Sequence, residues 1–253
     1  MAVKKAETGL SIEPLKRGRV RLRLLGETPL YFNAMSAKAM RTLLVGGGKK
    51  TAAEKRELKH DPEREYRDSV YRMSHGPTLL GFPAPGIKGA MATAALETPG
   101  VTKSSVHRLI FLPQERVSIW GIPKLRMDVV RSADMNRTPD VRTRACVEEW
   151  CAEVEIAFVQ PTLSISSVVS LLANAGSIVG IGDFRQEKGR GAFGTFSVIG
   201  EGQDDEDGKR WERIAAEGGR KAQAEALDNP ECYDETTAEL MAFLQSERMR
   251  RAA

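Results

Sequence analysis

Residues 180–194 hold the densest run of binding chemistry in the chain: Gly180-Ile181-Gly182-Asp183-Phe184-Arg185-Gln186-Glu187-Lys188-Gly189-Arg190-Gly191-Ala192-Phe193-Gly194. Glycine admits positive φ and lets the backbone approach another molecule closely. Bare N–H groups flanked by the cations Arg185, Lys188 and Arg190 suit phosphate. Phe184 and Phe193 supply flat faces on which bases stack. The alternative is a solvated glycine-rich connector ahead of a strand.

Three further stretches carry basic side chains. Lys88 lies in Phe82-Pro83-Ala84-Pro85-Gly86-Ile87-Lys88-Gly89-Ala90-Met91, where prolines end an extended segment and a small-residue helix begins. A cation near a helix start opposes the helix dipole, so it calls for an anion nearby. Lys49 and Lys50 follow Gly46-Gly47-Gly48, but no glycine and no apolar strand stand where a P-loop requires them. That segment, through Lys55, Arg56 and Lys59, reads as basic and exposed. Arg126, Arg131, Arg137, Arg142 and Arg144 recur between Leu125 and Val147, with Asp134, Asn136, Pro139 and Asp140 at the centre. This predicts a hairpin arm whose guanidinium groups pair with phosphate and stack on bases. His60-Asp61 has no second histidine–carboxylate pair to complete a metal site and reads as a surface histidine.

The elements that must carry these residues follow from periodicity. Arg19-Val20-Arg21-Leu22-Arg23-Leu24-Leu25 alternates as a half-buried strand with its arginines on one face. Thr28-Pro29-Leu30 turns. A helix capped by Ser36 is expected up to Val45, with Met35, Met40, Leu43 and Leu44 along one side. Strands are expected at 106–112 and 117–122, at 150–159 and at 193–199, and a helix capped by Ser164 at 165–175. Strand, helix, loop, strand is half of a ferredoxin-like unit, and the earlier elements supply the other half. After Gly200 an acidic linker precedes helices at 209–227 and 234–250. Residues 1–200 are thus read as an α+β domain with a ferredoxin-like (RRM-like) core and a projecting basic hairpin, and 201–253 as an acidic linker with a helical extension whose apolar stripe packs on the body or, as the alternative, on a partner.

Composition bounds the function classes. The 253-residue chain is 41% hydrophobic and 28% charged, ordinary for a globular protein. Lys and Arg outnumber Asp and Glu 30 to 20 up to Gly200, whereas acids lead 14 to 8 afterwards. A basic body with an acidic appendage points to a polyanionic partner. No apolar run approaches a membrane span, and Met1-Ala2-Val3-Lys4-Lys5 lacks the apolar core of a signal peptide. Cys146, Cys151 and Cys232 form no Cys-x-x-Cys motif, which fits a reduced cytoplasm.

The Thr-Pro-Leu turn after an N-terminal strand, the Pro-Gly-Ile-Lys-Gly-Ala helix start and the Gly-x-Gly…Arg-Gly-x-Phe-Gly loop before a last strand occur in this order. Together they resemble the RAMP superfamily, in particular the guide-RNA-binding backbone subunits of CRISPR effector complexes, with a phage-encoded relative as a variant. The chain departs from the family in lacking its serines before Ile87 and in placing Asp183-Phe184 where small and basic residues are common. The resemblance implies single-stranded nucleic acid, RNA or DNA, bound across the core by subunits repeating along the strand. It also implies that Lys88 and the loop around Gly182, Phe184, Arg185, Lys188, Gly189, Arg190, Gly191 and Phe193 contact that strand. A non-enzymatic binder without cofactor or metal is therefore the expectation. The alternatives are a phage protein that coats or anneals single-stranded DNA in the host cytoplasm, and a metal-dependent ribonuclease of RAMP type.

Overall fold

The computed structural model describes residues 14–45, 60–131, 137–188, 191–200 and 205–252. Lys49, Lys50, Gly189 and Arg190, and the hairpin tip with Asp134 and Asn136, lie outside the described residues. Among the described residues no helix is long and apolar enough to cross a membrane.

The chain mixes helices with an antiparallel sheet. The first strand, β1 (Lys16–Gly26), pairs along nearly its whole length with β9 (Cys151–Gln160) and at its end with β10 (Phe196–Ile199). The other edge of β9 takes β5 (Ile110–Phe111) and β6 (Arg116–Trp120). β4 (Leu80–Pro83) pairs with β6, and β3 (Tyr71–Arg72) closes the order β10-β1-β9-β6-β4-β3. One face of this sheet is the core. Val20, Leu22 and Leu24 alternate into it and meet Val154, Ile156 and Phe158, as period 2 requires.

Two helices cover that face. The first, α3 (Ala84–Ala94), buries Ile87, Ala90, Met91 and Ala94; the second, α5 (Ile165–Ile178), buries Val168, Leu171, Leu172 and Ala175. The Ser164 hydroxyl accepts from Ser167 N–H, the cap expected from sequence. A shorter helix, α2 (Pro62–Asp68), lies beside the second sheet. The expected strand over 106–112 is instead α4 (Lys103–Leu109), with only Ile110–Phe111 extended. Thr102 and Ser105 form a reciprocal capping box there, and that local cap prevails over the β-branched Val106.

A separate three-stranded sheet has the order β2-β8-β7, built from β2 (Leu30–Tyr31), β7 (Pro123–Arg131) and β8 (Pro139–Val147). The hairpin is therefore present, in register from Pro123–Val147 to Arg131–Pro139. Its base belongs to the core through Leu125, Met127, Ala145 and Val147. Pro139 and Asp140 pair within β8 instead of forming the turn.

The C-terminal segment docks on the body. Trp211 and Ile214 of α6 (Glu206–Glu217) join Leu25, Cys151 and Ile199 in a second apolar cluster on the opposite face of the large sheet. The single helix expected over 209–227 breaks at Gly218-Gly219. There Gly121 N–H donates to the Gly218 carbonyl at 3.0 Å, backbone against backbone. The chain resumes as α7 (Arg220–Asp228) and ends in α8 (Glu235–Ala252). Gln223 on α7 is fully buried. Its Oε1 accepts from Leu79 and Leu80 N–H, and its Nε2 donates to the carbonyls of Ile119, Gly121 and Gly218.

The helix starting after Ser36 is α1 (Ala37–Val45), and Ser36 Oγ accepts from Ala39 N–H at 3.2 Å. Met40, Leu43 and Leu44 are exposed on it, and so is Met35 ahead of the cap.

Candidate nucleic-acid interface

The glycine-rich loop leaves the C-terminus of α5 and folds back on itself against β2. Ile181 N–H donates to the Gly194 carbonyl, Gly194 N–H to Pro29 and Asp183 N–H to Tyr31. Arg185 and Phe193 bridge the two limbs. Carbonyls of the loop and of Pro29 and Tyr31 therefore take up N–H groups that the sequence reading offered to phosphate. Gly194 has φ +73°, and a Cβ there would overlap the Ile181 carbonyl. A Cβ on Gly191 would overlap the Phe184 carbonyl in the same way. The conformation of Gly182 is also left-handed. These glycines are required first by the loop's internal packing.

Phe184 is the point of strain. It holds φ +53°, a conformation that L-residues seldom adopt. Three contacts hold it there. Asp183 Oδ1 accepts from its N–H at 3.0 Å, Tyr31 meets its ring edge-on at 5.7 Å, and the Arg144 guanidinium lies 4.9 Å from its centroid. Such strain persists only where the surroundings over-determine it, and it gathers at binding sites.

Around the loop, residues distant in sequence form a cluster of rings and guanidinium groups. Tyr31 and Phe193 pack at 4.7 Å. Arg126 stands over Tyr31, Phe193 and Tyr233 at 5.3, 5.7 and 4.7 Å, and pairs with Asp128 and Asp234. Arg144 pairs with Asp183 at 3.3 Å, and Asn33 Nδ2 donates to the same carboxylate at 2.9 Å. Burial pushes the Tyr31 hydroxyl far above its ordinary range, so it stays neutral. Phe184 and Phe193 remain half-buried. A guanidinium stacked on an aromatic face gains a cation–π attraction and extends the flat surface available to a base.

The predicted site residues divide on this geometry. Gly182, Phe184, Arg185, Gly191 and Phe193 stand together in the loop, with Arg185 paired to Glu187 at 3.4 Å. Arg144 joins them, but as a buried residue, 8% exposed, and not as part of a solvated arm. β8 is the middle strand of its sheet, so Arg144 is covered where Arg142 further out is not. Arg131, Arg137 and Arg142 are exposed toward the turn end of the hairpin. The backbone of Lys188 closes a short 3-10 turn. Lys88 does not present a free cation at a helix start. Its Nζ donates to the His107 carbonyl at 2.9 Å and sits 5.3 Å from the Phe111 ring, contacts on α4 and β5 rather than on the loop. The arginines of β1 are also engaged: Arg19 with Glu155, Arg21 with Glu153, and Arg23 with Glu212 and the Trp211 ring.

Tyr31, Asn33, Arg126, Asp183 and Tyr233 complete the cluster. Of these, Arg126 stood among the recurring arginines and Asp183 within the glycine-rich run. Tyr31, Asn33 and Tyr233 come together through tertiary pairing that no spacing encodes. Beside Arg144 a groove of about 380 Å³ opens between the start of α1, α2 and β8. His60 is not a plain surface histidine: its ring nitrogens are bonded to Glu65 at 2.9 Å and Asp140 at 3.0 Å. Among the described residues no group of three or more His, Cys, Asp or Glu side chains is placed to hold a metal ion.

No protein-family model matches the chain, and no curated protein matches it. Solved structures do match. One is a chain of the structure described as "Cryo-EM structure of the Type III-B Cmr-beta bound to cognate target RNA", similar at TM-score 0.37 and 10% identity. The similarity covers 73% of this chain and 60% of the length of that one.

Proposed function

We propose that this protein binds single-stranded nucleic acid without chemically altering it, and that copies assemble side by side along the strand. The observation that carries the reading is the strained Phe184, half-buried beside Phe193, with Arg144 on its ring and Arg126 on its neighbours. Rings backed by guanidinium groups accept unstacked bases, whereas a paired duplex offers phosphates and groove edges. The exposed Arg131, Arg137 and Arg142 extend cationic surface along the hairpin, within a body richer in bases than acids. We read the β10-β1-β9-β6 order, with α3 and α5 on one face, as a ferredoxin-like core. An exposed hairpin can also reach a neighbouring copy, and a head-to-tail contact that does not close extends along the strand.

Anisotropy titrations with labelled single-stranded RNA, single-stranded DNA and duplex test the reading. Single strands are expected to bind tighter, with log K falling by about 0.7 per log salt for each phosphate neutralised. Alanine at Arg131, Arg137 and Arg142 together should lower affinity while each change costs under about 0.5 kcal/mol of stability. Light scattering should show mass growing with strand length. Preference for duplex overturns the binding reading, and a mass independent of strand length overturns the assembly.

A further inference from the structure

Helix α1 carries an apolar side that its own chain leaves open. Met40, Leu43 and Leu44 recur at the i, i+3, i+4 spacing of one helix face and are 52%, 72% and 88% exposed. Met35, just ahead of the Ser36 cap, is a fourth exposed apolar side chain. A helix face of this kind ordinarily packs on a core, and clustered exposed apolar side chains mark a contact surface. Arg41 stands one turn before Leu44 and so borders the stripe. It is exposed and, among the described residues, enters no ion pair.

A second open apolar surface lies on α8. Its inner side is fixed to the body: Thr237 Oγ1 accepts from Met127 N–H at 3.3 Å, and Met241 packs against the core. Phe243 projects from the other side, 65% exposed, with Leu240 one turn before it, 37% exposed. Glu239 precedes Phe243 by one turn and Glu235 lies a turn earlier. Both acids are exposed and, among the described residues, enter no ion pair. The order β2-β8-β7 puts the two helices at opposite edges of the small sheet, since α1 follows β2 and α8 lies along β7. Within one chain, therefore, neither surface covers the other. Pairing either helix with its own kind brings like charges together, whereas pairing α1 with α8 brings opposite charges together.

We infer that α1 of one copy docks on α8 of the next, with Met40, Leu43 and Leu44 against Leu240 and Phe243, and Arg41 facing Glu235 and Glu239. The contact uses different surfaces on the two partners, so each copy in a row keeps one surface of each kind for its neighbours. The contact belongs to the protein alone. Its recurrence along a bound strand rests on the assembly proposed above.

Sedimentation velocity of the full chain over a concentration series tests the contact, and anisotropy with a labelled strand long enough for several copies reports strand binding and its cooperativity separately. Wild type is expected to gain mass with concentration and to fill the strand cooperatively. Leu44→Glu and Phe243→Glu should each be monomeric and non-cooperative, with the melting temperature of the dilute protein unchanged. An equimolar mixture of the two should form dimers and stop there, because one variant keeps an intact α8 and the other an intact α1. Arg41→Glu should weaken association about fivefold, and Glu239→Arg in the same chain should restore it. A wild type that stays monomeric and fills the strand without cooperativity overturns the contact while leaving the single-strand reading intact. So does association that persists in either variant, or a mixture that stays monomeric. A lowered melting temperature in either variant means that its own chain buries that side chain, and also overturns the contact. Association that both variants abolish, in a protein that binds no strand, upholds the contact while the single-strand reading fails.

Discussion

Single residues in this protein are held by partners far away in sequence, and this fixes both their charge state and their reactivity. Arg144 meets Asp183 and Phe184, and Trp150 Nε1 reaches the Thr28 carbonyl at 2.8 Å. Cys146 and Cys151 are buried, and burial pushes each thiol up to about 12 from the ordinary 9.0. Burial also raises the half-buried Cys232. A thiol whose folded pKa lies above its unfolded one favours the folded state fully below pH 9, and that contribution is lost as pH climbs toward 12, because the unfolded chain gains by ionising. Two such thiols predict stability falling from about pH 9 upward, read from urea midpoints across pH. Native-state alkylation near pH 8 should modify Cys232 first and spare Cys146 and Cys151 until the chain unfolds. Early labelling of either buried thiol contradicts their placement.

Elements are joined in this fold by polar staples as well as by apolar packing. Gln223 ties α7 to the β3–β4 connection, the end of β6 and the Gly218 break. Alanine there strands two N–H groups and three carbonyls in a dry site, so a loss above about 3 kcal/mol is expected in denaturant unfolding. Gln223→Glu should also destabilise, since a carboxylate cannot donate to the three carbonyls. A loss below about 1 kcal/mol for either variant would mean that α7 is only loosely attached. Much of the element order was legible in the sequence. Period 2 marked β1 and β9, Ser164 marked α5, and the arginine-rich stretch marked the hairpin. The rest was not legible, for identifiable reasons. β8 is a middle strand covered on both faces, so Thr143, Arg144, Ala145 and Cys146 are all buried and no alternation betrays the arginine. The capping box of α4 outweighed an apolar run. Gln223 looked like any polar residue on an exposed helix, because its partners are backbone groups from 5 to 144 positions away.

At the scale of the whole molecule, charge separates along the chain and then recombines in space. Acidic residues after Gly200 pair with the body through Arg23–Glu212 and Arg126–Asp234, while tail arginines return to it at Glu149 and Asp61. The large sheet's arginine face is thereby paired with Glu153, Glu155 and α6, while Arg131, Arg137 and Arg142 stand exposed at the hairpin. Binding should therefore centre on the ring–guanidinium cluster and the hairpin, not on the sheet face where an RRM-like reading of the core would put it. Ultraviolet crosslinking of the full chain to a thiouridine-bearing or thiothymidine-bearing single strand, mapped by mass spectrometry, tests this claim most directly. The account predicts crosslinks at Phe184 and Phe193, weakened by Arg144→Gln and removed by competing unlabelled strand. Crosslinks confined to the face of β1 and β9 around Arg19, Arg21 and Glu155, with none in the loop, would contradict it.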